Sequence, residues 1–354
     1  MFTIKSSLNL YKYKRKVVQI TFRKFCDTSE KKLKILFFGT DNFSLPSLQK
    51  LHKSSSTSSL SVVTSFKSPA NPVKCYAEKE SLTLHSWPLK DTEVYQHDLG
   101  VVVSFGHLIP EKIISSFPLG MINVHASLLP KWRGAAPIVY SIMSGDTKTG
   151  VSIMRIEPKH FDIGDILAQD VVEISPNMLM PELHRELSLK GADLLLKTIQ
   201  SYPSSFKESV KQESSLVTYA PKVTPSLTEI SWNTQSSKQV YDLFRSLFSY
   251  KELTTRFKKL SVKIVELRLI EKTESTVRTT ESSNQTVNPP GTVEYVKSKK
   301  ALRVFCADGG FVEVTKLKVD GKKVMSAGDF NNGFLKKCSQ DEKVFSNCGE
   351  VKSC

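Results

Sequence analysis

Residues 121–137 constrain the fold of this chain more than any other stretch. Met121-Ile122-Asn123-Val124-His125 alternates apolar and polar side chains. A strand has a period of two, so Asn123 and His125 share one face and Ile122 and Val124 the other. Ser127-Leu128-Leu129-Pro130 then breaks the strand. Arg133-Gly134-Ala135-Ala136-Pro137 opens a helix that runs to about Ser144, where Gly145 suits a left-handed cap. The unit is strand, proline loop, helix, and in open α/β sheets ligands sit at the carboxyl ends of strands. An amide and an imidazole side by side there are costly unless they bond to something.

Other stretches fit the same architecture. Residues 34–40 are an apolar run ending in glycine, which predicts a first, buried strand of a parallel sheet. Asp41-Asn42-Phe43-Ser44-Leu45-Pro46 follows as a helix start with polar capping candidates. Residues 54–59 read as a Ser/Thr loop, 60–66 as a strand and 73–80 as a helix. Buried or alternating strands follow at 99–105 and 149–156, and a helix over 181–200 closes the unit. The Gly-x-Gly-x-x-Gly fingerprint is absent, which argues against a dinucleotide enzyme. Residues 201–216 read as a linker. Beyond it lie a helix at 237–247 and short alternating stretches at 255–260, 262–267, 291–296, 302–307 and 311–318. Five or more such strands make a small barrel. Residues 273–288 are polar and Thr-rich, with the composition of a mobile loop.

At 354 residues the chain is long enough for two domains. No apolar run reaches the ~18 residues that cross a bilayer, so no membrane partner is expected. The net charge of +15 is uneven. Residues 1–34 carry 10 basic and 2 acidic side chains, 217–354 carry 23 and 15, and 35–216 carry 17 and 18. A near-neutral middle flanked by basic ends fits a polyanionic partner such as a nucleic acid. The start, with Lys5, Lys12, Lys14, Arg15, Lys16, Arg23 and Lys24 and no acid before Asp27, reads as a mitochondrial transit peptide over 1–32. Six scattered cysteines form no Cys-x-x-Cys, so neither a zinc site nor a disulfide framework is expected, and a reducing compartment is.

The run Asn123-x-His125 followed by Ser127-Leu128-Leu129-Pro130-Lys131-Trp132-Arg133-Gly134-Ala135-Ala136-Pro137 resembles the signature of the folate-dependent formyltransferases, most closely those acting on methionyl-tRNA. The resemblance recurs in order along about 33–334: Phe38-Gly39-Thr40, Val101-Val102-x-x-Phe105-Gly106-x-Leu108-Ile109-Pro110, Phe161-Asp162-Ile163-Gly164-Asp165, Thr218-Tyr219-Ala220-Pro221-Lys222, and Gly321-Lys322-Lys323-Val324. It implies a Rossmann-like parallel-sheet catalytic domain over 33–200 and an oligonucleotide-binding-like β-barrel over 217–334, with 335–354 as a polar, basic tail. It departs from the bacterial pattern in a short 67–72 loop, where only Lys67 and Lys74 remain nearby, and in one extra residue at 157–160.

The resemblance further implies transfer of the formyl group of 10-formyltetrahydrofolate to the amine of initiator methionyl-tRNA, in the mitochondrial matrix, by a monomer that uses no metal. Asn123, His125 and Asp162 align with the catalytic trio. Phe105, Gly106 and Leu108, with Ser127, Leu128, Leu129 and Pro130, align with the pterin slot. Lys131, Arg133, Lys222, Lys322 and Lys323 are the expected tRNA contacts. His107 is expected to be solvated or packed rather than catalytic. Trp132 stacks on the terminal adenosine or braces the loop, and bracing is the expectation. Acyl transfer needs a neutral amine, a donor for the developing oxyanion and a proton path. An Asn amide donates to the oxyanion, and a His–Asp pair moves protons near neutral pH. Which group takes the amine proton stays open. So do three rival readings: a same-fold enzyme acting on glycinamide ribonucleotide, a folate hydrolase, and an RNA-binding relative without turnover.

Overall fold

The computed structural model describes residues 32–89, 96–270 and 288–347. The expected transit segment, Lys32 apart, and the polar 273–288 stretch, Asn288 apart, lie outside the described residues.

Seven strands form the first sheet: β1 (Leu33–Gly39), β2 (Thr57–Thr64), β3 (Thr83–Ser86), β4 (Leu99–Val103), β5 (Met121–His125), β6 (Lys148–Arg155) and β7 (Ile166–Glu173). Their order is β3-β2-β1-β4-β5-β6-β7. The first five run parallel, and β6 and β7 are antiparallel additions at one edge. Helices α1 (Leu45–His52), α2 (Pro72–Lys79), α3 (Glu111–Ile114), α4 (Pro137–Met143) and α5 (Met180–Gln200) connect and cover the strands.

The apolar run of β1 is explained by burial on both faces. Ile35 and Phe37 point into a core shared with α1 and α5, and Leu36 and Phe38 into a second core shared with Ile113 and Ile114 of α3. Local chemistry sets the helix starts. Asn71 caps α2 by accepting the Val73 and Lys74 N–H groups, and Pro72 sits at the first helical position, where its missing donor costs nothing. Asn71 is itself tied to Thr64 and Ser65, which pins the short loop before α2. α4 ends at Met143 with Ser144 as its C-cap, and Gly145 takes a φ of 72°, the left-handed value its sequence suggested. Strand β2 begins three residues before the predicted start, because backbone pairing with β1 recruits Thr57–Ser59 while the Ser58 and Ser59 side chains stay exposed.

Residues 201–216 do more than link. They form α6 (Ser204–Lys207), bury Phe206, and bridge Val210 to Ile166 of β7. The second sheet is antiparallel and curled. It comprises β8 (Leu253–Phe257), β9 (Leu260–Leu269), β10 (Val293–Val296), β11 (Ala301–Phe305), β12 (Phe311–Val319), β13 (Val324–Ser326) and β14 (Phe345–Ser346). The order is β10-β11-β12-β9-β8-β14, with β13 on β12. A Thr292–Val344 bridge brings the two ends of this half-barrel together. Strand β8 stops at Phe257 rather than 260, because Lys258 takes a φ of 54° and turns the hairpin into β9. The C-terminal segment is part of this fold: Leu335 and Phe345 are buried in the barrel core.

Helix α7 (Ser237–Leu247) joins the two units. Ser236 and Gln239 cap it reciprocally. One face sends Val240, Leu243 and Leu247 into the barrel core, which Val139 of α4 also enters. The other face carries a buried Asp242–Arg245 pair at 2.8 Å. Arg245 Nη1 also donates to the Met178 carbonyl at 3.0 Å, so the barrel's helix grips the segment leading into α5. Among the described residues no helix is long and apolar enough to cross a membrane. α8 (Ala327–Gly333) closes the barrel end and buries Phe330.

Candidate active site

Strand β5 supplies the floor of the site. Asn123 pairs in register with Val102 of β4 and Met154 of β6, and His125 with Ser152. Ile122 and Val124 enter the first core, whereas Met121 enters the one containing α3. Asn123 and His125 therefore project on the α3 side of the sheet. The site is thus on a sheet face as well as at strand ends, because antiparallel β6 carries its outgoing loop, 156–165, back across that face.

His125 is buried and fixed from both sides. Its Nε2 lies 2.9 Å from the Trp132 carbonyl oxygen. A carbonyl only accepts, so this bond places a proton on Nε2. Its Nδ1 faces Asp162 Oδ1 at 3.5 Å. The other carboxylate oxygen of Asp162 accepts the Gly134 N–H at 2.9 Å. Asp162 is only 8% exposed, so its charge is shielded from water and aimed at the ring. The Asn123 side chain is half-buried and makes no protein hydrogen bond among the described residues. The structure thus brings Asn123, His125 and Asp162 to one face, with the amide left free for a ligand.

The loop after β4 forms one wall. Phe105 is buried against Phe38 and Trp87, so only its backbone can reach a ligand. Gly106 takes a φ of 73° and is exposed, as is Leu108. His107 is exposed and packs its ring near Trp87 and Phe105, in keeping with a packing role. The loop after β6 faces it, and Lys159 Nζ reaches Glu111 Oε2 at 3.8 Å. Phe161 and Ile163 are exposed there beside the buried Asp162. Exposed apolar side chains around one free amide suit a flat heterocycle with polar edges.

Ser127, Leu128, Leu129 and Pro130 take the other side of β5. Ser152 Oγ donates to the Ser127 carbonyl at 2.6 Å and accepts the Leu129 N–H at 3.0 Å. Gln169 Nε2 donates to the Leu129 carbonyl at 2.9 Å. The Ser127 and Leu129 side chains are buried, and Leu128 and Pro130 are half-buried. This loop is therefore clamped to β6 and β7.

Trp132 braces its loop: its indole N–H donates to Asp146 Oδ2 at 2.8 Å, and its backbone N–H to Thr218 Oγ1 at 2.9 Å. Lys131 pairs with the same Asp146 at 2.7 Å. Arg133 donates twice to Gln212 Oε1, at 2.9 and 2.7 Å. These two cations are thus already partnered. Lys222, Lys322 and Lys323 are exposed and lie on the second unit. Gly134 is required where it stands. Its φ is 121°, and a Cβ there would meet the Ala220 carbonyl oxygen at 2.6 Å. Arg133 exchanges backbone bonds with Thr218 and Ala220, so the Thr-Tyr-Ala-Pro-Lys segment is stitched to the loop after β5.

Three site residues escaped the sequence reading: Gln212, Ser152 and Gln169. Gln212 sits in a polar segment without periodicity, where nothing marks one residue above another. Ser152 does occupy a buried position of an alternating strand, a weak signal that a hydroxyl there has work to do.

Residues 33–199 match the formyl transferase family, and 222–335 match the formyl transferase C-terminal domain. The mitochondrial methionyl-tRNA formyltransferase of Homo sapiens is 37% identical over 311 residues, covering 85% of this chain and 78% of that one. The chain belongs to the methionyl-tRNA formyltransferase family. The Fusobacterium nucleatum methionyl-tRNA formyltransferase is 33% identical over 86% of this chain and 98% of its own. Among solved structures, WlaRD, a sugar 3N-formyl transferase determined in the presence of dTDP and 5-N-formyl-THF, superposes with a TM-score of 0.59 at 18% identity, over 82% of this chain and 99% of that one. HypX from Aquifex aeolicus, in complex with tetrahydrofolic acid, gives 0.54 at 16% identity over 86% of this chain and 48% of its own. These two likenesses concern the fold. They place the parallel sheet and curled antiparallel sheet of this methionyl-tRNA formyltransferase family member within the wider formyltransferase architecture.

Proposed function

We propose that this chain transfers the formyl group of 10-formyltetrahydrofolate to the α-amino group of methionyl-tRNA, giving N-formylmethionyl-tRNA for initiation in the mitochondrial matrix. The observation that carries the reading is the unpaired Asn123 amide sharing a sheet face with the His125–Asp162 pair. An oxyanion donor and a proton-moving pair are what formyl transfer to an amine requires.

In this reading the formyl oxygen lies on the Asn123 amide, which donates as negative charge develops. The amine nitrogen attacks the formyl carbon, and the bond from that carbon to the folate nitrogen breaks. The amine loses one proton, and the departing nitrogen gains one. His125 keeps a proton on Nε2 through Trp132, which leaves Nδ1 and Asp162 Oδ1 as the atoms able to hold the proton in transit. The heterocycle fits between Gly106–Leu108 and Phe161–Ile163, and the clamped 127–130 loop fixes the end of β5. Exposed Lys222, Lys322 and Lys323 are offered to tRNA phosphates. Lys131 and Arg133, bonded to Asp146 and Gln212, add positive field at the rim. A catalytic domain over 33–200, a barrel domain that begins at 217 and runs past 334 to take in β14, a targeting role for 1–32, and action as a monomer complete the proposal.

The experiment is a formylation assay with 10-formyltetrahydrofolate and methionyl-tRNA. Formylmethionyl-tRNA is the expected product. Folate release without tRNA, or formylation of a sugar amine or a ribonucleotide amine instead, would overturn the reading, as would tRNA binding without turnover.

A further inference from the structure

The segment between the two units reaches into the active site through one side chain. Gln212 Nε2 donates to the carbonyl oxygens of Asp162 at 2.9 Å and Gly164 at 2.8 Å, while its Oε1 accepts both bonds from Arg133. All four polar connections of the amide are thus made to the loop that carries Asp162 and to the loop that follows β5.

Asp162 needs such support. Its φ is 57°, a left-handed conformation that costs an L residue energy and persists only where the surroundings dictate it. Three contacts dictate it here. Gly164 is pressed so closely on the Arg155 carbonyl that a Cβ would lie 2.0 Å from its oxygen. Arg155 N–H bonds to the Asp165 carbonyl at 2.9 Å. Gln212 holds the two carbonyls between, which are the groups that must turn if Asp162 relaxes.

We propose that Gln212 is a positioning residue for Asp162, setting the carboxylate against His125 and tying it to the segment that leads into the second unit. The inference rests on the formyl-transfer reading for its kinetic arm only. Loss of the amide would let the 161–165 loop relax, lengthening an Nδ1–Oδ1 separation already at 3.5 Å. Small misplacements of a reacting group lower the chemical step more than binding.

Gln212→Met removes all four bonds at similar volume. Gln212→Glu keeps the acceptor for Arg133 and loses both donors to the 162 and 164 carbonyls. Both variants are expected to lower kcat by about tenfold or more, with KM for methionyl-tRNA within about twofold. Combined with Asp162→Asn, Gln212→Met is expected to add nothing, because the two act through one carboxylate. A second readout needs no turnover. Amide hydrogen exchange at Gly134, whose N–H is held by Asp162 Oδ2, is expected to rise at least about tenfold in Gln212→Met, with the unfolding midpoint unchanged. A wild-type protein without formylation would defeat the functional reading and leave the exchange arm to decide the role of Gln212. Unchanged exchange at Gly134 overturns the inference, as does undiminished kcat in a wild type that turns over, or a double variant whose losses multiply.

Discussion

Gly134 and Asp162 meet through one hydrogen bond, backbone N–H to carboxylate Oδ2 at 2.9 Å, and that bond fixes which oxygen of Asp162 is left for His125. Gly134 meanwhile presses its Cα side on the Ala220 carbonyl. Substitution by alanine forces a side chain into that contact at a φ of 121°. Gly134→Ala is therefore expected to cost about 1–3 kcal/mol of stability, the usual toll of an overpacked site. It is also expected to lower kcat, since Asp162 loses its anchor. Chemical unfolding and steady-state kinetics together check this, and a variant unchanged in both would refute it.

Phe345 makes the tail part of the barrel. It is 1% exposed, lies near parallel to Trp232 at 6.1 Å between centroids, and meets Phe257 edge-on. Phe345→Ala should destabilise the protein by about 3–5 kcal/mol, as other buried aromatic truncations do. A loss below about 1 kcal/mol in a urea titration would show that the segment is dispensable.

The cysteines should react unequally. Burial, with a smaller push from the Asp308 charge, raises the Cys306 thiol to about 12. Cys75 is exposed. Only thiolate reacts with alkylating agents. Iodoacetamide at neutral pH should label Cys75 in the native protein and Cys306 only after unfolding, as read by peptide mass spectrometry. Equal labelling of the two would contradict the burial of Cys306.

Asp308 caps α7 from the turn between β11 and β12. Burial pushes its carboxyl up, but the Ser237 N–H, the Ser237 hydroxyl and the Gly310 N–H outweigh it and hold the carboxyl below the usual carboxylate range. A depressed folded value means stability that is fully present above the unfolded value of about 4 and lost as pH falls through the lower folded one. Asp308 faces solvent, so screening keeps the effect near about 1 kcal/mol. Wild type should exceed Asp308→Asn by that amount at pH 7, and the gap should close below about pH 4. A gap independent of pH would assign the effect to packing instead.

The face shared by Asn123 and His125 was readable from the sequence because it depends on local periods. Alternation over 121–125 put Asn123 and His125 together, and β5 keeps them so. Asp162 was reached only through resemblance, since no local pattern says that a loop beyond β6 folds back on β5. The same limit hid Gln212 and Ser152, whose partners lie 48–79 and 17–25 residues away. Two other departures have one cause. Thr57–Ser59 joins β2 and Phe345 joins the barrel because backbone pairing with a distant strand overrides a polar local composition. Lys131 and Arg133 read as tRNA contacts in the sequence. Their acceptors, Asp146 and Gln212, are set by tertiary contact alone.

The most direct single measurement is the rate of N-formylmethionyl-tRNA formation by wild type beside Asn123→Ala, His125→Ala and Asp162→Asn. Each substitution should lower kcat by about 10²–10⁴-fold with folding intact, the range for general acid–base groups and oxyanion donors. Turnover in the wild type that survives all three substitutions would place the chemistry elsewhere and contradict the site described above.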